Sequence, residues 1–171
     1  PNNTAYTAQA LRNHTDLPYF EYAPGYQFLH CLINDATGGK SSVVDGFAVA
    51  DYLRKKEHDI FKILTNTYVK FKDTDYTQKA IRILHSPIIT LTKDNDFNDI
   101  RFSMAAMGAV DIEPNKMKKF YDAYQYFASI LQNKKFKIDF RLEAGDIFCF
   151  NNRRVLHGRT EFDPNSGNRH L

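Results

Sequence analysis

Tryptophan is absent from the 171 residues, and cysteine nearly so, with only Cys31 and Cys149. Two cysteines exclude a four-cysteine zinc site within this chain, and they are too few for a disulfide-dense secreted scaffold. Both fall in apolar, strand-like runs, so they are expected as buried free thiols of a reducing, intracellular and cytoplasmic setting. No apolar run approaches the roughly 20 residues that a membrane-spanning helix needs, so no membrane role is expected. Excess charge of one sign is missing too. Lys and Arg number 23 against 20 Asp and Glu, a net charge of +3, and they are scattered rather than blocked. That pattern gives no support to a nucleic-acid partner. Internal repeats and low-complexity segments are also lacking. What remains is 43% hydrophobic and 25% charged, the composition of one soluble domain with a sizeable core. The chain begins without Met and stops at Arg169-His170-Leu171, in the middle of a polar-to-apolar transition, and so reads as a single domain over 1–171 cut at both ends.

The stretch that carries chemistry is Asn13-His14-Thr15-Asp16. On an extended segment, residues i and i+2 point to the same face, so the His14 imidazole and the Asp16 carboxylate can reach one metal from one side. A third ligand must come from elsewhere in the chain. Val155-Leu156-His157-Gly158-Arg159 supplies a histidine on a second apolar, strand-like run. Two histidines and one carboxylate on one octahedral face leave three open positions, the facial triad of non-haem Fe(II) oxygenases. A structural zinc site with the same three residues stays open as an alternative, although it would need a fourth ligand that the sequence does not offer. His30, His58, His85 and His170 have no spaced partner and are expected to be structural or exposed. Gly39-Lys40-Ser41 imitates the end of a phosphate-binding loop, but the first glycine of that pattern would fall at Asn34, which rules it out.

Patterning elsewhere predicts a mainly β fold with flanking helices. Gln27 to Ile33 is a short apolar run, Thr37 to Ser41 a turn, and Ser42 to Asp45 a returning strand. Helical spacing covers Phe47 to Lys56 and Asp59 to Leu64. Short β-type segments follow at Val69–Lys72, Lys79–Leu84, Ile88–Thr92 and Ile100–Ser103. Pro114 opens a longer amphipathic helix whose apolar face carries Met117, Phe120, Tyr121, Tyr124, Phe127, Ala128 and Leu131. Lys137 to Leu142 alternates, Glu143 to Asp146 turns, and Ile147 to Phe150 returns toward His157. Pro18 and Pro24 argue for irregular backbone just after the metal motif. Many short strands with long connections suit a double-stranded β-helix, or jelly roll, with chemistry at its mouth.

The ordered series Asn2-Asn3-Thr4-Ala5-Tyr6-Thr7, Asn13-His14-Thr15-Asp16, His30-Cys31-Leu32, Thr37-Gly38-Gly39, Val44-Asp45-Gly46-Phe47 and Leu156-His157-Gly158-Arg159 resembles the γ-butyrobetaine and trimethyllysine hydroxylases. These form the carnitine-biosynthesis branch of the Fe(II)/2-oxoglutarate dioxygenases, and the resemblance covers nearly the whole chain. It implies a catalytic-domain fragment that hydroxylates an unactivated C–H bond of a small trimethylammonium substrate, with Fe(II), 2-oxoglutarate and O2 as cofactors and co-substrates, ascorbate as a stimulant, and a homodimer as the allowed assembly. By that resemblance His14, Asp16 and His157 would hold iron. Arg169 would pair with the distal carboxylate of 2-oxoglutarate, and Ser41 matches an assisting hydroxyl in the related taurine dioxygenases. Guanidinium against carboxylate makes a bidentate clamp that Lys does not reproduce. Tyr6 matches one wall of an aromatic cage for trimethylammonium, and Asn3 is a further substrate-side candidate. Two departures bear on the substrate. Asn151-Asn152-Arg153-Arg154 stands where the family runs Asp-Asn-Trp-Arg, and Ser103-Met104 where it carries a pair of asparagines. A dioxygenase of the same superfamily with another small or peptide-borne substrate, and a non-catalytic metal-binding module, therefore remain alternatives.

Overall fold

Strand alternation gives the central sheet of this protein two unlike faces, and the rest of the fold follows from that difference. The structure, a computed structural model, describes residues 7–171. In chain order its strands are β1 (Leu11–His14), β2 (Tyr26–His30), β3 (Ile33–Asn34), β4 (Ser41–Asp45), β5 (Val69–Asp75), β6 (Ala80–Ser86), β7 (Ile89–Leu91), β8 (Phe97–Ile100), β9 (Lys137–Phe140), β10 (Ile147–Asn151), β11 (Val155–Arg159) and β12 (Arg169–His170). Three helices, α1 (Gly46–Lys56), α2 (His58–Asn66) and α3 (Pro114–Ile130), interrupt them.

Four strands pair antiparallel in the order β1-β11-β4-β9. His157 sits opposite Val43 and Leu156 opposite Val44, so successive residues send side chains to opposite faces. Val44 and Leu156 point to one side and are fully buried. There they join Val49 and Leu53 of α1, Leu64 of α2, and Phe120 and Phe127 of α3 in one apolar core. Burying each such side chain contributes about 1.5–3 kcal/mol, which is what fastens the helices to this face. His157, Arg159, Val43 and Ser41 share the other face.

A second layer lies across from that face. Strands β2 and β3 are two halves of one line of chain, with β10 paired along the first half and β12 along the second. Cys31 N–H donates to Asp146 O at 2.9 Å and Leu32 N–H to His170 O at 2.9 Å, which carries the pairing through the break between them. Two facing antiparallel sheets, with the chain switching between them, make the jelly roll that the patterning anticipates. The two turns read as strand returns are the switches. β4 pairs with β11 and β9, not with β2, and β10 pairs with β2, not with β9. Gly38 and Gly39 take positive φ at the first corner and Gly145 at the second, a backbone region that glycine enters without steric cost.

Other expectations shift in detail. The expected strand over Ile100–Ser103 lies earlier, as β8, which ends where Ile100 stands opposite Ile89; beyond it Phe102 N–H turns to the Thr15 hydroxyl at 3.0 Å. Tyr121 is partly exposed at 38%, off the buried face of α3, where Ala123 and Ile130 pack instead. Cys31 is buried as expected, but Cys149 is exposed. It stands opposite Phe28 on the outward face of the β2–β10 pair, so alternation turns it to solvent. No helix among the described residues is long and apolar enough to cross a membrane.

Asp45 shows how local chemistry starts a helix here. Its Oδ1 accepts from Phe47 N–H at 3.0 Å and Ala48 N–H at 3.2 Å, satisfying two of the unpaired donors at the head of α1. Arg154 clamps the same carboxylate through Nε at 3.0 Å and Nη2 at 2.6 Å. α1 is thereby tied to the turn that leads into β11.

Candidate metal centre

β1 and β11 bring the two histidines together, because His14 and His157 are partners in the ladder. Their rings stand 4.5 Å apart, centroid to centroid. Asp16 lies just past the end of β1, with Oδ1 at 3.3 Å from His14 Nε2 and Oδ2 at 3.5 Å from His157 Nε2. One ligand atom from each of the three lies within 4.8 Å of the others. The structure thus assembles the three residues that the sequence singles out.

Donor chemistry fits a hard-to-borderline divalent metal. His14 Nδ1 lies 2.8 Å from Arg12 O, which can only accept, so the proton sits on Nδ1 and Nε2 faces the site. Burial pushes the Asp16 carboxyl up, but the hydrogen bond that His14 donates when doubly protonated, the charges of His157 and His14, and the bond from Gln27 outweigh it and hold the pKa at about 2. Burial lowers His157 to about 4, helped by the charge of His14. For His14 burial works the same way, but the hydrogen bond to Asp16 prevails and raises it. At neutral pH Asp16 is therefore ionised and His157 neutral, the forms in which each binds metal.

Three residues that sequence reasoning did not single out hold this arrangement in place. Asn152 is only 1% exposed. Its Oδ1 accepts from Asp16 N–H at 2.8 Å, while its Nδ2 donates to Asp16 O at 3.0 Å and Pro24 O at 3.3 Å. The side-chain amide pairs with the Asp16 backbone much as a neighbouring strand would. Gln27, reaching across from β2, donates to Asp16 Oδ2 at 2.9 Å and ties one carboxylate oxygen away from the opposite side. Arg101 is buried and pairs with Asp99 through Nε and Nη2 at 3.1 and 3.0 Å. It also donates to the carbonyls of Pro18, Phe20 and Glu21 at 2.6–2.8 Å. That rivets the irregular segment after the motif, where Pro18 was read as breaking the strand pattern.

Beside the triad, His14 and Asp16 line a cavity of about 570 Å³, whose far wall includes Ser103 and Met104. Arg169 lies on β12, in the facing layer. Its Nε is buried without a hydrogen-bond partner among the described residues, and its guanidinium stands 5.5 Å from the Phe162 ring. Burial lowers its pKa, and the nearby charge of Arg159 adds to the strain. A partly buried cation with a buried open donor suits an anion, since an unpaired buried donor costs about 1–3 kcal/mol. Ser41 is buried opposite Arg159 at the end of β4, with no hydrogen bond to Arg169. Gly39 approaches Arg169 instead, and a Cβ there would meet its Nε at 2.9 Å. Tyr6 and Asn3 lie outside the described residues.

Known proteins with the same features can now be set beside this geometry. Residues 1–171 match the family described as taurine catabolism dioxygenase TauD, TfdA family. A gamma-butyrobetaine dioxygenase of Pseudomonas sp. (strain AK-1) is 42% identical over 170 residues, covering 99% of this chain and 44% of that protein. The human gamma-butyrobetaine dioxygenase is 36% identical over 174 residues, covering 99% of this chain and 45% of its own length. A solved asparagine oxygenase, in complex with Fe(II), 2S,3S-3-hydroxyasparagine and succinate, superposes with a TM-score of 0.73 at 20% identity, over 95% of this chain and 48% of that one. At that identity the likeness speaks for the jelly-roll fold. This chain spans less than half the length of each of these proteins.

Proposed function

We propose, because the chain belongs to the taurine catabolism dioxygenase TauD/TfdA family, that it carries the metal and co-substrate sites of an Fe(II)- and 2-oxoglutarate-dependent dioxygenase. Its substrate is a small trimethylammonium compound such as γ-butyrobetaine, hydroxylated at an unactivated C–H bond as in carnitine biosynthesis. The observation that carries this reading is the His14, Asp16 and His157 set, with its ligand atoms within 4.8 Å and two of its members lining a cavity large enough for a small substrate. Two relatives described as gamma-butyrobetaine dioxygenases, at 42% and 36% identity, support the substrate class.

In this reading His14, Asp16 and His157 hold iron from one side, and Arg169 takes the distal carboxylate of 2-oxoglutarate, with Ser41 as an added donor. Tyr6 and Asn3 are assigned to substrate binding on the family resemblance alone. Iron, O2 and 2-oxoglutarate together supply an oxidant that exchanges C–H for C–OH as 2-oxoglutarate becomes succinate and CO2. The protein's own work is positional. Asn152 and Gln27 hold Asp16 so that the remaining metal positions stay open, and the apolar wall of β10 around Phe150, 4.6 Å from His157, keeps water from one flank of the site. A homodimer and a cytoplasmic setting belong to the same proposal.

The test is iron-dependent conversion of 2-oxoglutarate to succinate, with a mass gain of one oxygen scored across γ-butyrobetaine, trimethyllysine and their uncharged isosteres. His14→Ala and Asp16→Ala are expected to abolish it, since each removes a ligand that Ala cannot replace. Unchanged turnover in either variant sinks the assignment. Ser103 and Met104 on the cavity wall favour a second reading, another small substrate of the same reaction class, which the same panel separates.

A further inference from the structure

The substrate cavity contains two cations whose charge the iron chemistry does not use. Arg12 lies two residues before His14 on β1 and lines the same cavity as His14 and Asp16. Among the described residues its Nη1 reaches only the Met104 sulfur, at 4.0 Å. Lys72, on β5, lines the same cavity. Its backbone N–H donates to Ala106 O at 2.8 Å, which places β5 alongside the 103–106 segment. Met104 to Ala106 thus forms a short wall with Arg12 at one end and Lys72 at the other. No carboxylate stands within ion-pair distance of either side chain among the described residues. The acids that share the cavity are already engaged. Asp73 pairs with Arg82 at 2.9 Å, and Asp16 belongs to the metal site.

Unpaired like charges at a cleft raise the local concentration of an anion and gain when one enters. Ser103 and Met104 between them offer one hydroxyl and a thioether, too little to hold a carboxylate unaided. We infer that Arg12 and Lys72 form the subsite for an anionic group, a carboxylate, on the end of the substrate remote from its reacting carbon. The inference rests on the dioxygenase reading of the site and sharpens it, because the ligand it selects is zwitterionic when the other end is a trimethylammonium. Recognition here is by charge at a solvated rim, so ionic strength weakens it.

The experiment compares γ-butyrobetaine with its methyl ester, using wild type, Arg12→Gln, Lys72→Gln and the double variant. Binding to Mn(II)-loaded protein with 2-oxoglutarate is read by calorimetry, and KM is read in the iron-loaded enzyme. For the free acid, Kd and KM are expected to rise about threefold in each single variant and about tenfold in the double, as for exposed ion pairs. The ester's values are expected to stay within twofold across the set, and Mn(II) affinity to stay unchanged, since the Arg12 carbonyl that orients His14 is retained. An acid that binds the double variant as well as wild type overturns the subsite, as does an ester that weakens in parallel or an acid that wild type does not bind. Absence of 2-oxoglutarate turnover in wild type is a separate failure. It sinks the dioxygenase reading, while the calorimetric comparison still decides the subsite.

Discussion

Asn152→Ala is expected to loosen the metal site without touching a ligand. The substitution removes three hydrogen bonds, those to Asp16 N–H, Asp16 O and Pro24 O, at a position only 1% exposed. Each such bond contributes about 0.5–1.5 kcal/mol net, and a buried group left unpaired costs more, so the loss in stability is about 2–4 kcal/mol. The Asn152 N–H bond to Gly25 O at 2.7 Å is backbone and survives, which keeps the turn between β10 and β11 in place. The effect on metal binding is separable from that loss. With its peptide unit released, Asp16 keeps only side-chain contacts, to Gln27 and the two histidines, and loss of such an outer partner typically costs about 10–100-fold in metal affinity. Asn152→Asp refines the test. It keeps the acceptor for Asp16 N–H but sets a carboxylate against two carbonyl oxygens, so it is expected to bind metal no better than Asn152→Ala. The assays are urea unfolding of the metal-free protein and calorimetric titration with Mn(II) at a temperature where both variants are folded. Folded variants whose Mn(II) affinity stays within twofold of wild type would refute the reasoning and leave Asn152 with a purely structural job.

Arg169→Lys is expected to raise the KM for 2-oxoglutarate by an amount corresponding to about 2–5 kcal/mol while metal affinity stays nearly intact; a KM within twofold of wild type would give Arg169 another role. Arg101→Ala leaves Asp99 buried and uncompensated and frees three carbonyls, so unfolding measurements should show a loss of about 3–5 kcal/mol, and a loss below 1 kcal/mol would contradict the rivet. Asp45 gives a pH signature. Burial pushes its carboxyl up, but the Arg154 hydrogen bonds and the α1 backbone donors outweigh it, so its folded pKa lies below the ordinary 3.8. Its contribution is present above that value and fades as pH falls through the lowered one. Asp45→Asn should therefore lower stability at neutral pH and flatten the acid limb of the stability curve, and an unchanged limb would remove Asp45 from the account.

The candidate metal set was legible because each half of it is local. His14 and Asp16 need only the two-residue repeat of a strand, and His157 advertises itself on a run of apolar residues. The helices were legible for the same reason, down to Pro114 at the start of α3. What escaped depends on partners far along the chain. Whether Thr37–Ser41 closes a hairpin or turns a corner between sheets is decided by β11 and β10, more than a hundred residues on, and no local pattern records it. Asn152 and Asp16 are 136 positions apart, and Arg101 meets Pro18 across 83. An asparagine in a polar turn and an arginine after a short strand look ordinary until tertiary structure buries them. Cys149 misled for a related reason, since an apolar strand with one covered face reads like one with two. One signal was available. Arg101 in an otherwise apolar setting, Ile100-Arg101-Phe102, is a charge that must find partners if the strand is buried.

The ladder between His14 and His157 also sets the order in which the molecule can come into being. Its two strands lie far apart along the sequence, so during synthesis β1 emerges with its binding residues facing no partner, and it waits until β11 has been made. Every strand of the central sheet except β9 touches β11 or is β11 itself. Contacts of such long sequence separation close late, because the entropy of the intervening loop is lost before they give anything back. The metal cannot be captured by a half-made chain in its final geometry. The site is complete only once β1 and β11 have paired, so metal uptake in a refolding experiment is expected to report on that long-range step.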